Sequence, residues 1–253
     1  MTKPGMSAIQ PGMDLQQIRD ALARARDYPY PLPQHSYLWR GGAVFAFDPA
    51  MTARRTPVLA VGSNQAPAQL TRKFGHDPAA EIPVQRCDLK NFDTVYSAHI
   101  ASYGSVPAML QTAPGATVTL FVNWLSQDQL PVMHATELGA GNYHYCRLDD
   151  IDMTLEDGGG ALQSVHAYIS RRGHVMVDGD AVALAAVQAS GRKRQARTTA
   201  QMLELAHARL ASGQALDAFI VRLIDDAPYR RECVAALAAD AGAFAAPYAI
   251  VAG

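Results

Sequence analysis

The sequence predicts an α+β fold, and three observations carry the prediction. Short strand-like runs crowd the middle of the chain, helix-period segments dominate its last third, and the two kinds do not alternate strictly. A doubly wound sheet would alternate them. Of 253 residues, 49% are hydrophobic and 18% charged, enough apolar material for a sizeable core. The formal net charge is −1, from 22 Lys+Arg against 23 Asp+Glu, so the totals show no footprint for nucleic acid or an anionic membrane.

Residues 1–13, rich in Gly, Pro and Met, are expected to be loose. Asp14 opens a helix: DLQQIRDALARAR places Leu15, Ile18, Leu22 and Ala25 on one face, and Gln17 completes a capping box. Pro29, Pro31 and Pro33 end it, and YPYPLPQHSYLWRGG is expected to run extended over a surface.

From Arg55 the pattern changes. PVLAVGSN reads as a buried strand, and Pro67 starts a short helix that stops at Gly75. Strand-like runs follow around FDTVYSAHI, ATVTLFVNWL, YHYCRLDDIDMTL and LQSVHAYIS, with EDGGGAL as a turn between the last two. AVALAAV at 181–187 fits strand or helix equally. Thr198 and Gln201 then cap a helix with Leu203, Ala206 and Leu210 on one face. Ala218–Ile224 is a second helical stretch. Pro228 opens a third, with Val234, Leu237 and Ala241 inward and Gly242 as its stop.

The three cysteines, Cys87, Cys146 and Cys233, are far apart and form no CxxC pair, so buried free thiols in a reducing compartment are expected. No signal-like or membrane-spanning apolar run occurs, which predicts a cytoplasmic protein.

Four pieces in order resemble the γ-glutamylcyclotransferase-like family: Gly62-Ser63-Asn64 after a strand, YGSVPAMLQTAPGATVTLFVNWL at 103–125, SQDQLPVMHATE at 126–137 and GNYHYCRL at 141–148. The resemblance covers roughly 56–175. It implies a small mixed β-barrel or curved sheet flanked by helices, with a helical C-terminal tail from about residue 198. The resulting organisation is an N-terminal helix and proline-rich wrap at 1–55, with YPYPLPQHSYLW expected as a lid on the pocket, followed by the family-like domain at 56–253.

The activity implied by the resemblance is cleavage of a γ-glutamyl amide. The substrate's own α-amino group attacks its γ-carbonyl, releasing 5-oxoproline and an amine. The nucleophile is intramolecular, so no metal or cofactor is implied, and the enzyme has to fold the substrate and move one proton. The implied partner is a small molecule with a carboxylate and an amide; the oligomeric state stays open.

Glu137 matches the family's catalytic glutamate and would take a proton from the attacking ammonium and pass it to the departing nitrogen. An apolar surround would tune it, and such help is typically worth about 100- to 10,000-fold in rate. A solvated glutamate at a helix end is the alternative. Gly62, Ser63 and Asn64 would hold the substrate: glycine allows close backbone approach, and the following helix offers amides to a carboxylate. Ser63 or Asn64 as a helix cap is the competing assignment. Tyr143 matches the family tyrosine or packs as a strand residue. Tyr103 and Gly104 open the glycine-valine stretch, with Gly104 permitting close approach or relieving a bulge.

The chain departs from the pattern twice. Val61 stands where the family's loop often has tyrosine, which removes a substrate-facing hydroxyl. Pro131 falls within the helix for which Ser126 and Gln129 make a capping box, which predicts a kink or a single turn before Glu137.

Two further groupings compete. His134 and Glu137 lie one helical turn apart, a metal-compatible spacing that His99, His144 or His166 would have to complete in space. The basic run GRKRQAR at 191–197 lacks interleaved aromatics and is expected to be a solvated loop, unless Arg192 or Arg194 reaches a substrate carboxylate. Besides the cyclising enzyme, the residues leave open a binding or regulatory module that has lost the reaction, and an amidase that uses Glu137 to activate water.

Overall fold

The computed structural model describes residues 13–139, 141–156 and 158–253, so the segment expected to be loose lies, except for Met13, outside them. Helix α1 (Leu15–Arg26) carries the predicted Asp14–Gln17 capping box. It docks by its second half, through Leu22 and Ala25, while Leu15 is 75% exposed and does not join the inward face. The proline-rich segment after it is not helical, as expected. It leads into a hairpin, β1 (Tyr37–Arg40) and β2 (Ala43–Ala46), with Trp39 fully buried and β1 paired to the main sheet.

The remaining central elements follow in order: β3 (Thr56–Ala60), α2 (Pro67–Phe74), β4 (Glu81–Tyr96), β5 (Ala108–Leu125), α3 (Gln129–Glu137), β6 (Tyr143–Leu155) and β7 (Ala161–Ser170). Both β4 and β5 are longer than the sequence runs suggested. Their register shifts between Lys90 and Phe92, and the extra residues of β5 include Pro114 and Gly115. Asn91 there adopts φ 62° and its Oδ1 accepts the Gly115 N–H at 3.1 Å. That irregularity lets a Pro-Gly pair sit in a long strand without breaking it.

Pairing closes a ring. Strand β3 pairs antiparallel with β5 and parallel with β7; β7 pairs with β6, β6 with β4, and β4 with β5. The result is the expected small mixed barrel, here of five strands, within an α+β fold. The three buried residues in succession at Val58, Leu59 and Ala60 suit a strand covered on both faces.

Helices cover the barrel on two sides. Leu70 and Phe74 of α2 and Met133 of α3 join Trp39, Ile82 and Phe121 in one cluster. The larger cluster joins barrel residues such as Leu120, Val122 and Ile169 to α1 and to three later helices. These are α4 (Thr199–Leu210), with the predicted Thr198–Gln201 box, α5 (Leu216–Asp225) and α6 (Ala227–Ala238).

The tail differs from expectation in two places. Helix α6 stops four residues before Gly242, whose backbone instead exchanges hydrogen bonds with His174 at 2.8 and 3.0 Å. The chain then returns to the sheet as a strand, Ala249–Ala252, paired with β6, so the last third is not wholly helical. Within 181–187, Ala183–Leu184 is a short strand beside Ala196–Arg197. Among the described residues no helix is long and apolar enough to cross a membrane.

Candidate functional site

The site lies at one mouth of the barrel, where β3 and β7 end and β5 and β6 begin. The chain turns there through a short 3-10 segment, Ser63–Gln65, before α2 starts with Pro67 in its first turn. Neither Ser63 nor Asn64 caps α2, whose N-cap is Ala66 without a side-chain bond. The loop is held from beneath. Tyr37 donates its hydroxyl hydrogen to the Gln65 carbonyl at 2.8 Å, Asn123 Nδ2 donates to the Asn64 carbonyl at 3.1 Å, and Gln65 Nε2 donates to the Gly62 carbonyl at 3.2 Å.

A cavity of about 610 Å³ opens at this mouth, a size typical of small-molecule sites. Gly62, Ser63, Asn64, Tyr103, Glu137 and Tyr143 all line it, drawn together from positions up to 81 apart in the chain. Gly104 does not. Its φ is +82°, and a Cβ there would meet Ile224 and Ile220 at 3.0 and 3.2 Å, so its close approach is to α5 and not to a ligand.

Glu137 is the last residue of α3, with its side chain 16% exposed. It is not a solvated helix end, and its surround is not apolar. Its Oε1 accepts a hydrogen bond from Asn64 Nδ2 at 3.0 Å and forms an ion pair with Lys73 Nζ, whose side chain is 4% exposed. Asn64 Oδ1 is buried without a partner. Pro131 neither kinks nor shortens α3: it is the third residue of a nine-residue helix, where a missing N–H leaves no intrahelical bond unmade. Gln129 supplies half of the expected box, accepting the Ser126 N–H at 3.0 Å.

Four phenols surround the carboxylate. Burial pushes the pKa values of Tyr28, Tyr103, Tyr143 and Tyr168 well above the ordinary tyrosine value, and the Glu137 charge adds to this in each case. They are therefore neutral hydroxyls, able to donate hydrogen bonds at any physiological pH.

Tyr28 bears directly on the loop. Its hydroxyl accepts the Ala108 N–H at 2.7 Å. A Cβ on Gly62 would fall 2.1 Å from that oxygen. The glycine thus makes room for a side chain of the same protein. The proline-rich segment thus contributes Tyr28 to the cavity wall.

His99 also borders the cavity with Nδ1 buried and unpartnered, and its pKa is pushed down to about 4 by burial first and then by the Arg172 and Arg230 guanidinium groups. His134 Nδ1 is instead 2.7 Å from the Tyr168 hydroxyl, and His166 stacks on Tyr145 at 5.0 Å. Among the described residues no group of three or more His, Cys, Asp or Glu is arranged to hold a metal ion.

The basic run keeps Lys193 exposed, but Arg192 and Arg194 are tied to the protein and neither lines the cavity. Arg192 makes a bidentate pair with Asp93, at 2.9 and 2.8 Å, and the Asp93 side chain is 0% exposed. Arg194 binds Asp180 and the Thr112 carbonyl. The cavity's guanidinium groups are Arg172, Arg230 and Arg231.

Sequence reading missed Tyr28, Lys73 and these three arginines, and weighed His99 only as a metal ligand. Lys73 alone left a local signal: with Leu70 and Phe74 it falls on the buried arc of α2, where a lysine needs a partner. The others come to the cavity by tertiary folding.

No protein-family model matches the chain, and no curated protein does. Solved structures similar to it over part of its length include a γ-glutamyl cyclotransferase, 12% identical, covering 70% of this chain and 85% of that one at a TM-score of 0.36. A Homo sapiens protein described as uncharacterized is 12% identical, with 71% of this chain and 86% of that one covered at a TM-score of 0.38. An Arabidopsis thaliana protein solved in solution is 17% identical over 47% of this chain and 70% of that one, at a TM-score of 0.35.

Proposed function

We propose that the chain is an enzyme that cleaves a γ-glutamyl-type amide of a small molecule by internal cyclisation, as a cofactor-independent lyase or transferase. The observation that carries the reading is the Glu137 carboxylate beside the orphaned Asn64 Oδ1 in a cavity edged by neutral phenols. A substrate α-ammonium would bring further donors to the carboxylate, which already accepts from Asn64 and Lys73 through Oε1.

In the reaction, Glu137 takes one proton from that ammonium. The freed amine adds to the γ-carbonyl, forming the ring C–N bond, and a tyrosine hydroxyl donates to the developing oxyanion. The exocyclic C–N bond then breaks. The departing nitrogen receives the proton from Glu137, and the ring nitrogen gives its second proton to the released amine, leaving 5-oxoproline and an ammonium. Because amine and carbonyl belong to one molecule, the protein's part is to hold the substrate in the ring-closing conformation and move the protons. The buried, unpaired cysteines fit the reducing cytoplasm.

One observation favours a second reading, a binding module that does not turn over its ligand. The Tyr28 hydroxyl already bonds the Ala108 amide and lies against Gly62 and Ser63, where a substrate carboxylate was expected. Incubation with a panel of γ-glutamyl amides separates the readings. Release of 5-oxoproline supports cyclisation, glutamate with free amine indicates an amidase, and binding without product indicates the module.

A further inference from the structure

We propose that His134 is a positioning residue for the reaction: it takes the hydrogen of the Tyr168 hydroxyl, so that Tyr168 meets the substrate's α-ammonium as a hydrogen-bond acceptor beside Glu137. The inference rests on reading the cavity as a γ-glutamyl amide site, and it gives a role to a side chain that does not itself line that cavity.

Tyr168 stands on β7 and lines the cavity. His134 stands on α3, one turn before Glu137, and its Nδ1 is 2.7 Å from the Tyr168 hydroxyl oxygen. Packing holds the ring in that direction. It meets Tyr145 of β6 edge to face, with centroids 4.5 Å apart, and Tyr168 in the same manner at 5.9 Å. One hydrogen lies between Nδ1 and the phenol oxygen, and it belongs either to the imidazole or to the phenol.

Burial favours the neutral form of both groups, lowering the pKa of His134 and raising that of Tyr168. Between neutral partners the better donor gives to the better acceptor. A phenol is a stronger acid than an imidazole N–H, and an imidazole nitrogen is a stronger base than a phenol oxygen, so Tyr168 donates to Nδ1. The ring then carries its own hydrogen on Nε2. That atom makes no hydrogen bond among the described residues and is not sealed from solvent, so the tautomer strands no buried donor.

With its hydrogen committed, the Tyr168 oxygen offers only lone pairs to a ligand. An ammonium has only donors, so it suits such an oxygen and repels a hydroxyl hydrogen turned toward it. Tyr168 and Glu137 border the same cavity, and the carboxylate's charge is felt at the phenol, so the two supply acceptors to one ammonium. Without His134, the phenol hydrogen would be free to turn toward Glu137 and compete with the ammonium for it. The donor to the oxyanion is accordingly another phenol, Tyr103 or Tyr143.

Two measurements test this. In the ligand-free protein, with isotope-labelled histidines at neutral pH, heteronuclear NMR reads which ring nitrogen of His134 carries the hydrogen; loss of the signal in His134→Asn assigns it. The proposal predicts a bare Nδ1 whose resonance moves toward that of a free acceptor in Tyr168→Phe. Calorimetry then compares two ligands, the N-ethyl sulfonamide analogue of γ-glutamylethylamide, which cannot cyclise, and the same compound without its α-amino group. The wild type should prefer the amino compound by about tenfold or more. His134→Asn, whose Oδ1 can take the place of Nδ1, should keep that preference within about twofold, while His134→Phe and Tyr168→Phe should each cut it about fivefold or more. Thermal melting checks the fold of each variant.

A hydrogen on Nδ1, a preference that survives in either phenylalanine variant, an equal loss in His134→Asn and His134→Phe, or no binding of either compound overturns the proposal. Product analysis with γ-glutamylethylamide is independent of it. A preference that depends on His134, without 5-oxoproline, overturns cyclisation and leaves the His134 assignment standing; 5-oxoproline release with a preference indifferent to His134 does the reverse.

Discussion

The Lys73 ammonium meets the Glu137 carboxylate between α2 and α3, joining two residues 64 positions apart. With the two side chains only 4% and 16% exposed, each charge depends on the other for compensation. The pair also fixes the carboxylate beside Asn64, so the same contact that stabilises the fold aims the proposed acid/base group.

Removing either partner should therefore destabilise the protein. Lys73→Met is expected to cost on the order of 3 kcal/mol in urea unfolding, because it leaves a sheltered carboxylate unpaired. Glu137→Gln keeps shape but strands the ammonium, and should also cost stability. The double variant should recover part of the loss, and strictly additive losses would count against the pair.

Gly62→Ala should destabilise by displacing Tyr28, since the new methyl would fall 2.1 Å from the Tyr28 oxygen. Tyr28→Phe removes that oxygen but leaves the Ala108 amide without its acceptor, at a cost of about 1–3 kcal/mol. A double-mutant cycle by chemical denaturation should show Gly62→Ala costing less in the Tyr28→Phe background. Equal costs in the two backgrounds would remove the contact from the account.

The barrel was largely legible because its strands β6 and β7 are bounded by turn residues, and because capping boxes at Asp14 and Thr198 mark helix starts locally. The C-terminal strand was not, since AIVA carries no partner information and its pairing with β6 spans about a hundred residues. For the site, the ordered motifs pointed to Glu137, Tyr143 and the Gly62–Asn64 loop, which do share one cavity. The role of Gly104 was misread because a glycine with positive φ looks the same in sequence whether a ligand or a helix approaches it. Tyr28 and the cavity arginines reach the mouth only through tertiary packing of the chain's two ends. GRKRQAR misled for a related reason: the acid that pairs Arg192 is Asp93, 99 positions away.

Arg192→Met should cost about 3–5 kcal/mol, because it leaves the fully buried Asp93 carboxylate without its bidentate partner. Urea unfolding measures it. A loss below 1 kcal/mol, the range of exposed ion pairs, would make the run the solvated loop its composition suggested.

Stability should fall on mild acidification through His99. Its folded pKa of about 4 lies below the ordinary 6.5, so between those values the unfolded chain binds a proton that the folded chain does not. The contribution is complete above about pH 6.5 and is lost as pH falls toward 4, amounting to at most about 3 kcal/mol. Unfolding free energies at pH 7 and pH 5 should drop less in His99→Gln than in the wild type; equal drops would show that His99 does not titrate this way.

The central claim is proton transfer by Glu137 within a cyclising reaction. Its most direct measurement is the rate of 5-oxoproline formation from the γ-glutamyl amide panel by the wild type and by Glu137→Gln, at a temperature where the variant is verified as folded. The account predicts product from the wild type and a rate at least about 100-fold lower for the variant. Equal rates, or no 5-oxoproline from the wild type with any amide, would contradict it.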